Sequence, residues 1–159
     1  MLNILIDEYR LVIDALQKAG VSFMLIGGIA VIAHGYARST GDMDLWIKPD
    51  NEQKPLLKAA LASIGYDLDD LAVIDGFDFK RAVVFSVGAS PEKIDFLTKI
   101  NLVEFEEAYP HKEMIEVDGM LLPIIRLQDL VLSKMNTGRP QDAADISRLQ
   151  EIEAIRRRK

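Results

Sequence analysis

The chain predicts a mixed α/β (α+β) fold, a β-sheet flanked by helices with a short helical piece at its C-terminal end. Three observations carry that prediction. Short apolar runs closed by glycine or proline alternate with stretches whose apolar residues recur at helical spacing. Two pairs of strand-like runs are joined by turn-forming residues, Gly88-Ala89-Ser90-Pro91 and Asp118-Gly119, as in β-hairpins. From residue 127 onward the pattern is helical. The organisation that follows is an α/β body over residues 1–125 and a helical extension over residues 126–159, with no long linker.

Leu5, Tyr9, Val12, Ile13 and Leu16 share one face of a helix predicted over residues 4–19, and Gly20 stands where a C-terminal cap belongs. Val21 to Ile26 reads as a buried strand ending at Gly27-Gly28, followed by a short helix through Ala33 and a loop from Gly35 to Gly41. A second strand opens with Asp42 and Asp44 and runs to Ile47, where Pro49 stops it. Residues 52–63 form a helix with Leu56, Leu57, Ala60 and Leu61 inward and Gly65 as its stop signal. Asp67 to Gly76 shows no dominant period. Ala82 to Val87 with Lys93 to Thr98, and Met114 to Val117 with Met120 to Ile124, make the two hairpins. A helix from Leu127 to Thr137 is closed by Gly138, and Pro140 suits the first turn of a last helix that reaches the basic tail.

Composition closes several functional classes. With 159 residues, 49% hydrophobic and 28% charged, the chain can bury a core and has no low-complexity stretch or internal repeat. The absence of cysteine excludes disulfides, thiolate metal sites and thiol nucleophiles. Met1 to Glu8 carries acids where a signal peptide needs basic residues, and the apolar stretch from Phe23 to Ala33 reaches His34 after eleven residues. A spanning helix needs about 20. The expectation is a cytoplasmic protein with no membrane association. A net charge of -6 argues against a surface given over to nucleic acid, and Arg156-Arg157-Arg158-Lys159 is the one basic cluster.

Chemistry concentrates between Gly27 and Ile47. Residues two apart in a strand share a face, so Asp42 and Asp44 project together while Met43, Leu45 and Ile47 point into the core. Two convergent carboxylates make a site for a hard cation, most naturally Mg²⁺. Gly27-Gly28 allows a tight strand-to-helix turn, and it also lets phosphate oxygens approach backbone N–H groups at a helix start. Lys93-Ile94-Asp95-Phe96-Leu97 is a strand-like run with one acid at its centre, its apolar neighbours facing away from it.

This order of residues resembles the signature of the polymerase-β-like nucleotidyltransferase superfamily, in which a glycine-glycine or glycine-serine turn precedes an aspartate-x-aspartate strand and a third carboxylate sits on a neighbouring strand. Asp95 takes the third place. Lys134 with Gly138-Arg139-Pro140-Gln141-Asp142-Ala143-Ala144-Asp145-Ile146 is similar to a segment of bacterial nucleotidyltransferase-like proteins, including toxins of abortive-infection (toxin-antitoxin) systems. The glycine-pair form is also similar to some antibiotic-modifying enzymes. In the superfamily's smallest members glycine-serine is followed closely by an arginine, whereas here Gly28 replaces the serine and Arg38 lies later.

The resemblance implies a nucleotidyltransferase-type fold and a Mg²⁺-dependent reaction in which a nucleoside monophosphate passes from a nucleoside triphosphate to an acceptor, with release of pyrophosphate. It implies two Mg²⁺ ions held by Asp42, Asp44 and Asp95, and a triphosphate bound by Gly27, Gly28, Arg38, Thr40 and Lys134. Arg38 is suited to bidentate phosphate binding, and Thr40 either to a phosphate hydrogen bond or to holding the turn before Asp42. RNA, a protein hydroxyl and a small molecule are all open as acceptor, and a toxin-antitoxin partner protein is a further expectation. The alternative is a non-catalytic nucleotide-binding regulator or toxin-antitoxin component that keeps the fold. Trp46 shares the face of Asp42 and Asp44 and is placed either to stack on a base or to pack beneath the C-terminal helices. His34 caps its short helix or packs at the edge of the site. Asp142 and Asp145 fall on one helical face and are placed either to pair with Lys134 or Arg139 or to form a solvated acidic first turn suited to the helix dipole.

Overall fold

The computed structural model describes residues 5–159, so the predicted start of the first helix at residue 4 lies outside the described residues. Helix α1 (Asp7–Ala19) carries Tyr9, Val12, Ile13 and Leu16 on its buried face. It ends as the sequence predicts: Gly20 takes the left-handed conformation at φ 78° and returns its N–H to Gln17 and Leu16. Strand β1 (Phe23–Ile26) is buried throughout, and helix α2 (Gly27–Ala33) begins at the glycine pair without an intervening loop. Strand β2 (Met43–Ile47) follows the exposed loop, and helix α3 (Gln53–Ser63) packs against α1.

The stretch without a dominant period forms two short turns of helix, α4 (Leu68–Leu71) and a 3₁₀ segment (Ala72–Gly76). Its order comes from capping: the Asp67 side chain accepts from the Asp69 N–H at 2.7 Å, while Leu71 and Ile74 are buried. Strands β3 (Val84–Val87) and β4 (Ile94–Leu97) form the first predicted hairpin. After the short helix α5 (Phe105–Ala108) and the 3₁₀ turn Tyr109–His111, β5 (Glu113–Val117) and β6 (Met120–Ile124) form the second. Asp118 and Gly119 both have positive φ, 51° and 79°, the pairing that a two-residue primed turn requires.

Helix α6 (Leu127–Lys134) is shorter than the sequence predicts. Met135 is extended, and Asn136 and Gly138 have φ of 59° and 75°. The Asn101 amide caps the break by donating to the carbonyls of Met135 at 2.8 Å and Ser133 at 3.3 Å. Helix α7 (Pro140–Arg157) starts with its proline in the first turn and includes the first two residues of the basic tail.

The six strands lie in one mixed sheet ordered β3-β4-β2-β1-β6-β5. The β1–β2 pair is antiparallel, and the β2–β4 and β1–β6 pairs are parallel. One continuous core joins the buried faces of α1, α3, α6 and the central strands. Helix α2 packs on β2 and α6, and α6 packs on α7, which brings the C-terminal helices over the same end of the sheet as the glycine turn. No described helix is long and apolar enough to cross a membrane.

Candidate active site

Strands β2 and β4 place two of the predicted acids side by side. Asp44 pairs with Asp95 in the parallel register, flanked by Met43 opposite Ile94 and Leu45 opposite Phe96. Because side chains alternate, the four apolar residues are fully buried while the acids project from the other face. The two carboxyls lie close enough for Asp44, when protonated, to donate a hydrogen bond to Asp95. Burial first, then the negative charges of Asp95 and Asp42 and that bond, push the Asp44 pKa up to about 6, and Lys134 acts in the opposite direction. Asp95 is also held by the Ser86 hydroxyl and by Lys93, whose ammonium lies 3.4 Å from Oδ1. Asp42 stands just ahead of β2 and acts on Asp44 through its charge. Among the described residues no group of three or more His, Asp or Glu side chains is already arranged around a metal position. The structure therefore pairs Asp44 with Asp95, while Asp42 lies just ahead of β2 and does not complete a three-acid cluster with them.

Tyr9 lies within the same electrostatic field, though the sequence marks it only as core. Its hydroxyl is 3.4 Å from the carbonyls of Gly41, Pro91 and Lys93. Burial, then Asp42 and Asp44, raise its pKa.

The glycine pair is required by close approach. Gly27 has φ 67°, and a Cβ there would sit 2.3 Å from Asp44 Oδ2. At Gly28 a Cβ would meet Thr40 Oγ1 at 2.2 Å and Arg38 Nη1 at 3.4 Å. Thr40 thus packs directly on the glycine turn, with its hydroxyl 3.4 Å from the Asp42 carbonyl. Helix α2 has seven residues, so few peptide dipoles add at its start, and the positive charge here comes from side chains.

A cleft of about 400 Å³ opens over Gly27, Gly28 and Asp44, walled by Arg38, Lys99, Lys134 and Arg139. Arg38 binds Asp145 through Nε and Nη2, each at 2.9 Å. Lys134 lies at the rim of α6, one-tenth exposed, 3.2 Å from Asp142 Oδ1 and 3.0 Å from Asp145 Oδ2. Its ammonium is thus paired with both acids, one of the pairings that their place on one helical face allows. Arg139 Nε is 3.0 Å from Asp142 Oδ2, which also accepts from Thr137 at 2.7 Å. The Thr137 hydroxyl and the Lys134 and Arg139 cations pull the Asp142 pKa down against the effect of burial, which is the largest single influence. Lys99 and Arg139 line the cleft without being marked for it by the sequence motifs. Lys99 carries a weak signal, since it continues the alternation of Asp95 and Leu97 past the end of β4.

Two side chains flanking the signature take structural places. Trp46 is fully buried, donates its indole N–H to the Thr98 carbonyl at 3.0 Å and meets Phe105 edge-on, so it is not available to stack on a bound base. His34 is the C-cap of α2, with Nε2 2.7 Å from the Ile125 carbonyl, and burial lowers its pKa. In the basic tail, Arg156 Nη2 donates to the His34 carbonyl at 3.3 Å and Arg157 pairs with Glu153.

A mixed sheet that sets paired aspartates beside a glycine turn and a basic cleft defines a nucleotidyltransferase fold, and solved structures share it. The solution structure of the antibiotic-resistance factor ANT(2'')-Ia matches with a TM-score of 0.57 at 14% identity, over 94% of this chain and 87% of the other. Its crystal structure in complex with adenylyl-2''-tobramycin matches with the same TM-score at 15% identity, over 92% and 91% of the two chains. The lincosamide antibiotic adenylyltransferase LnuA, lincomycin-bound, matches with a TM-score of 0.53 at 18% identity, over 95% and 99%. At these identities the likeness is one of fold. Residues 5–159 match the family described as nucleotidyl transferase of unknown function (DUF2204), and the chain belongs to that family. No curated protein matches the chain in sequence.

Proposed function

We propose that this nucleotidyl transferase moves a nucleoside monophosphate from a nucleoside triphosphate to an acceptor hydroxyl, with Mg²⁺ bound and pyrophosphate released. The observation that carries the reading is the Asp44–Asp95 pair, in register on adjacent strands, with Asp44 lining a cleft walled by four cations. The acids and cations supply the two charges that phosphoryl chemistry needs in one place. The stretch over residues 126–159 contributes Lys134 and Arg139 to the cleft.

The donor set suits Mg²⁺, because hard oxygen ligands lie side by side and the raised Asp44 pKa marks an excess of negative charge that a cation would neutralise. Asp44 and Asp95, with Asp42 just ahead of β2, would hold the metal, which when bound neutralises charge on the phosphates and on the attacking oxygen. Arg38 and Lys134 orient the β- and γ-phosphates, and the absence of side chains at Gly27 and Gly28 lets the α-phosphate approach Asp44. In the transfer, the acceptor oxygen bonds to the α-phosphorus as the bond to the bridging oxygen of pyrophosphate breaks. Asp95, whose Oδ1 is held by Ser86 and Lys93, takes the acceptor's proton. Two of the four tail cations are engaged within the molecule, by His34 and Glu153, which favours a small-molecule acceptor over RNA.

Calorimetric titration with each of the four nucleoside triphosphates in Mg²⁺ is the first test, with binding of at least one expected. Pyrophosphate release on adding hydroxyl-bearing small molecules is the second. A protein that binds none of the four nucleotides with Mg²⁺ present would overturn the reading.

A further inference from the structure

Asp145 is fully buried in α7, and donors from three parts of the chain close on it. Arg38 grips both of its oxygens at 2.9 Å, Lys134 Nζ lies 3.0 Å from Oδ2, and Gln141 Nε2 donates to Oδ1 at 2.9 Å. A charge taken fully out of water persists only with partners of this kind. Arg38 comes from the loop after α2 and Lys134 from the end of α6, so one carboxylate ties two walls of the cleft to α7.

The parts of these cations that Asp145 leaves uncovered face the cleft. It takes the Nε and Nη2 edge of the guanidinium, leaving Nη1 beside Gly28 with a bond to the Ser39 carbonyl at 2.8 Å. Lys134 has three N–H donors. Its two carboxylate partners, Asp142 and Asp145, account for two of them. Both cations are therefore fixed from behind and retain donor capacity in front.

We propose that Asp145 is a positioning residue for the triphosphate, holding Arg38 and Lys134 in one fixed arrangement over the glycine turn. The proposal rests on the reading of the cleft as the nucleotide site. Two effects oppose each other here. As a negative charge, Asp145 repels phosphate and occupies cation donors. As an anchor, it has already immobilised two long, rotamer-rich side chains that would otherwise lose that freedom on binding. The fork geometry and complete burial make the anchor the larger effect, so removing a negative charge from a basic cleft should weaken anion binding.

The test is calorimetric titration of the full chain with inorganic tripolyphosphate in Mg²⁺. Asp145→Asn is expected to bind about tenfold more weakly than wild type, because the two cations lose their common anchor. Equal or tighter binding by that variant overturns the proposal. Asp145→Glu keeps the charge and displaces the carboxylate by one methylene, so weaker binding is again expected, and wild-type affinity would overturn it. This second variant decides the matter if Asp145→Asn does not fold. Partial unfolding lowers the number of sites titrated, whereas loss of positioning lowers the affinity of each. Failure of the wild-type protein to bind tripolyphosphate or any nucleotide would instead strike the nucleotidyl-transfer reading itself.

Discussion

Asp44 and Asp95 lie side by side on adjacent parallel strands, with their carboxyls within hydrogen-bonding reach of one another. Two full charges at that separation repel strongly, which helps to keep a proton on Asp44 up to about pH 6. Above that pH the metal-free protein carries strain at the place where the proposed chemistry occurs.

Asp44→Asn should relieve that strain, since an amide keeps a hydrogen bond to Asp95 without the second charge. At pH 8 and without metal, the variant is expected to melt a few degrees above wild type. A gain on the order of 1 kcal/mol corresponds to about 2–4 °C in a chain of this size. Mg²⁺-dependent turnover should be lost. A lower melting temperature with turnover retained would show that the pair is neither strained nor used.

The pH dependence of the metal-free protein follows from the same pair. The Asp44 pKa is raised from 3.8 to about 6 in the folded state, so between those values the native protein binds more protons than the unfolded chain. Stability contributed by this group is therefore greatest below pH 4 and declines as pH rises to about 6, opposite to the usual carboxylate. Urea melts of wild type and Asp44→Asn across this window should diverge in that sense. Parallel curves would contradict the assignment.

Much of this arrangement is legible in the sequence because strand parity is a local property. Met43, Leu45 and Ile94 are buried where alternation puts them, with Asp44 and Asp95 on the opposite face. Gly20 and the Asp118-Gly119 turn are equally local, since each is a backbone conformation that few residues adopt. Parity alone does not decide Trp46. It lies on the same face as Asp44, but that face is open only at the start of β2 and is covered by Phe105 further along. The grip of Arg38 on Asp145 joins residues 107 apart, which no spacing rule can reveal. The early end of α6 likewise depends on Asn101, a capping residue from another part of the chain.

Gly27→Ala tests the close approach of the glycine turn to the acid strand. Its φ of 67° disfavours a side chain, and a Cβ would meet Asp44 Oδ2 at 2.3 Å. The backbone penalty alone is about 1–2 kcal/mol. The expected phenotype is a folded, moderately destabilised protein in which Asp44 is displaced and Mg²⁺-dependent turnover falls by about a hundredfold, the effect of misplacing a catalytic group by about an ångström. Unchanged turnover would mean that Asp44 need not lie against the turn.

Trp46→Phe separates packing from binding on the acid face. The substitution removes the indole N–H that the buried Thr98 carbonyl accepts and leaves a gap beside Phe105. A loss of about 1–3 kcal/mol is expected in denaturant melts. Nucleotide affinity should stay at the wild-type level, because Trp46 is fully buried. A selective loss of affinity for one nucleotide, with stability unchanged, would return Trp46 to a role in base recognition.

Lys134→Met gives the sharpest test of the cleft's cation wall. The methionine keeps the packed stem, and the two carboxylates left behind are not stranded. Asp145 retains Arg38 and Gln141, and Asp142 retains Arg139 and Thr137. The stability loss should therefore be about 1–3 kcal/mol, less than for breaking an isolated buried pair. Two further effects distinguish a functional lysine from a structural one. Affinity for the triphosphate should fall about tenfold, the value of one well-placed charge-assisted contact. The Lys134 charge also holds the Asp44 pKa down against its acidic neighbours, so its removal should move the loss of Mg²⁺ affinity on acidification to higher pH. Calorimetry with Mg²⁺ and nucleotide from pH 5 to pH 8 reads both. If affinity and its pH midpoint both stay at wild-type values while stability falls, Lys134 serves only to dock α7.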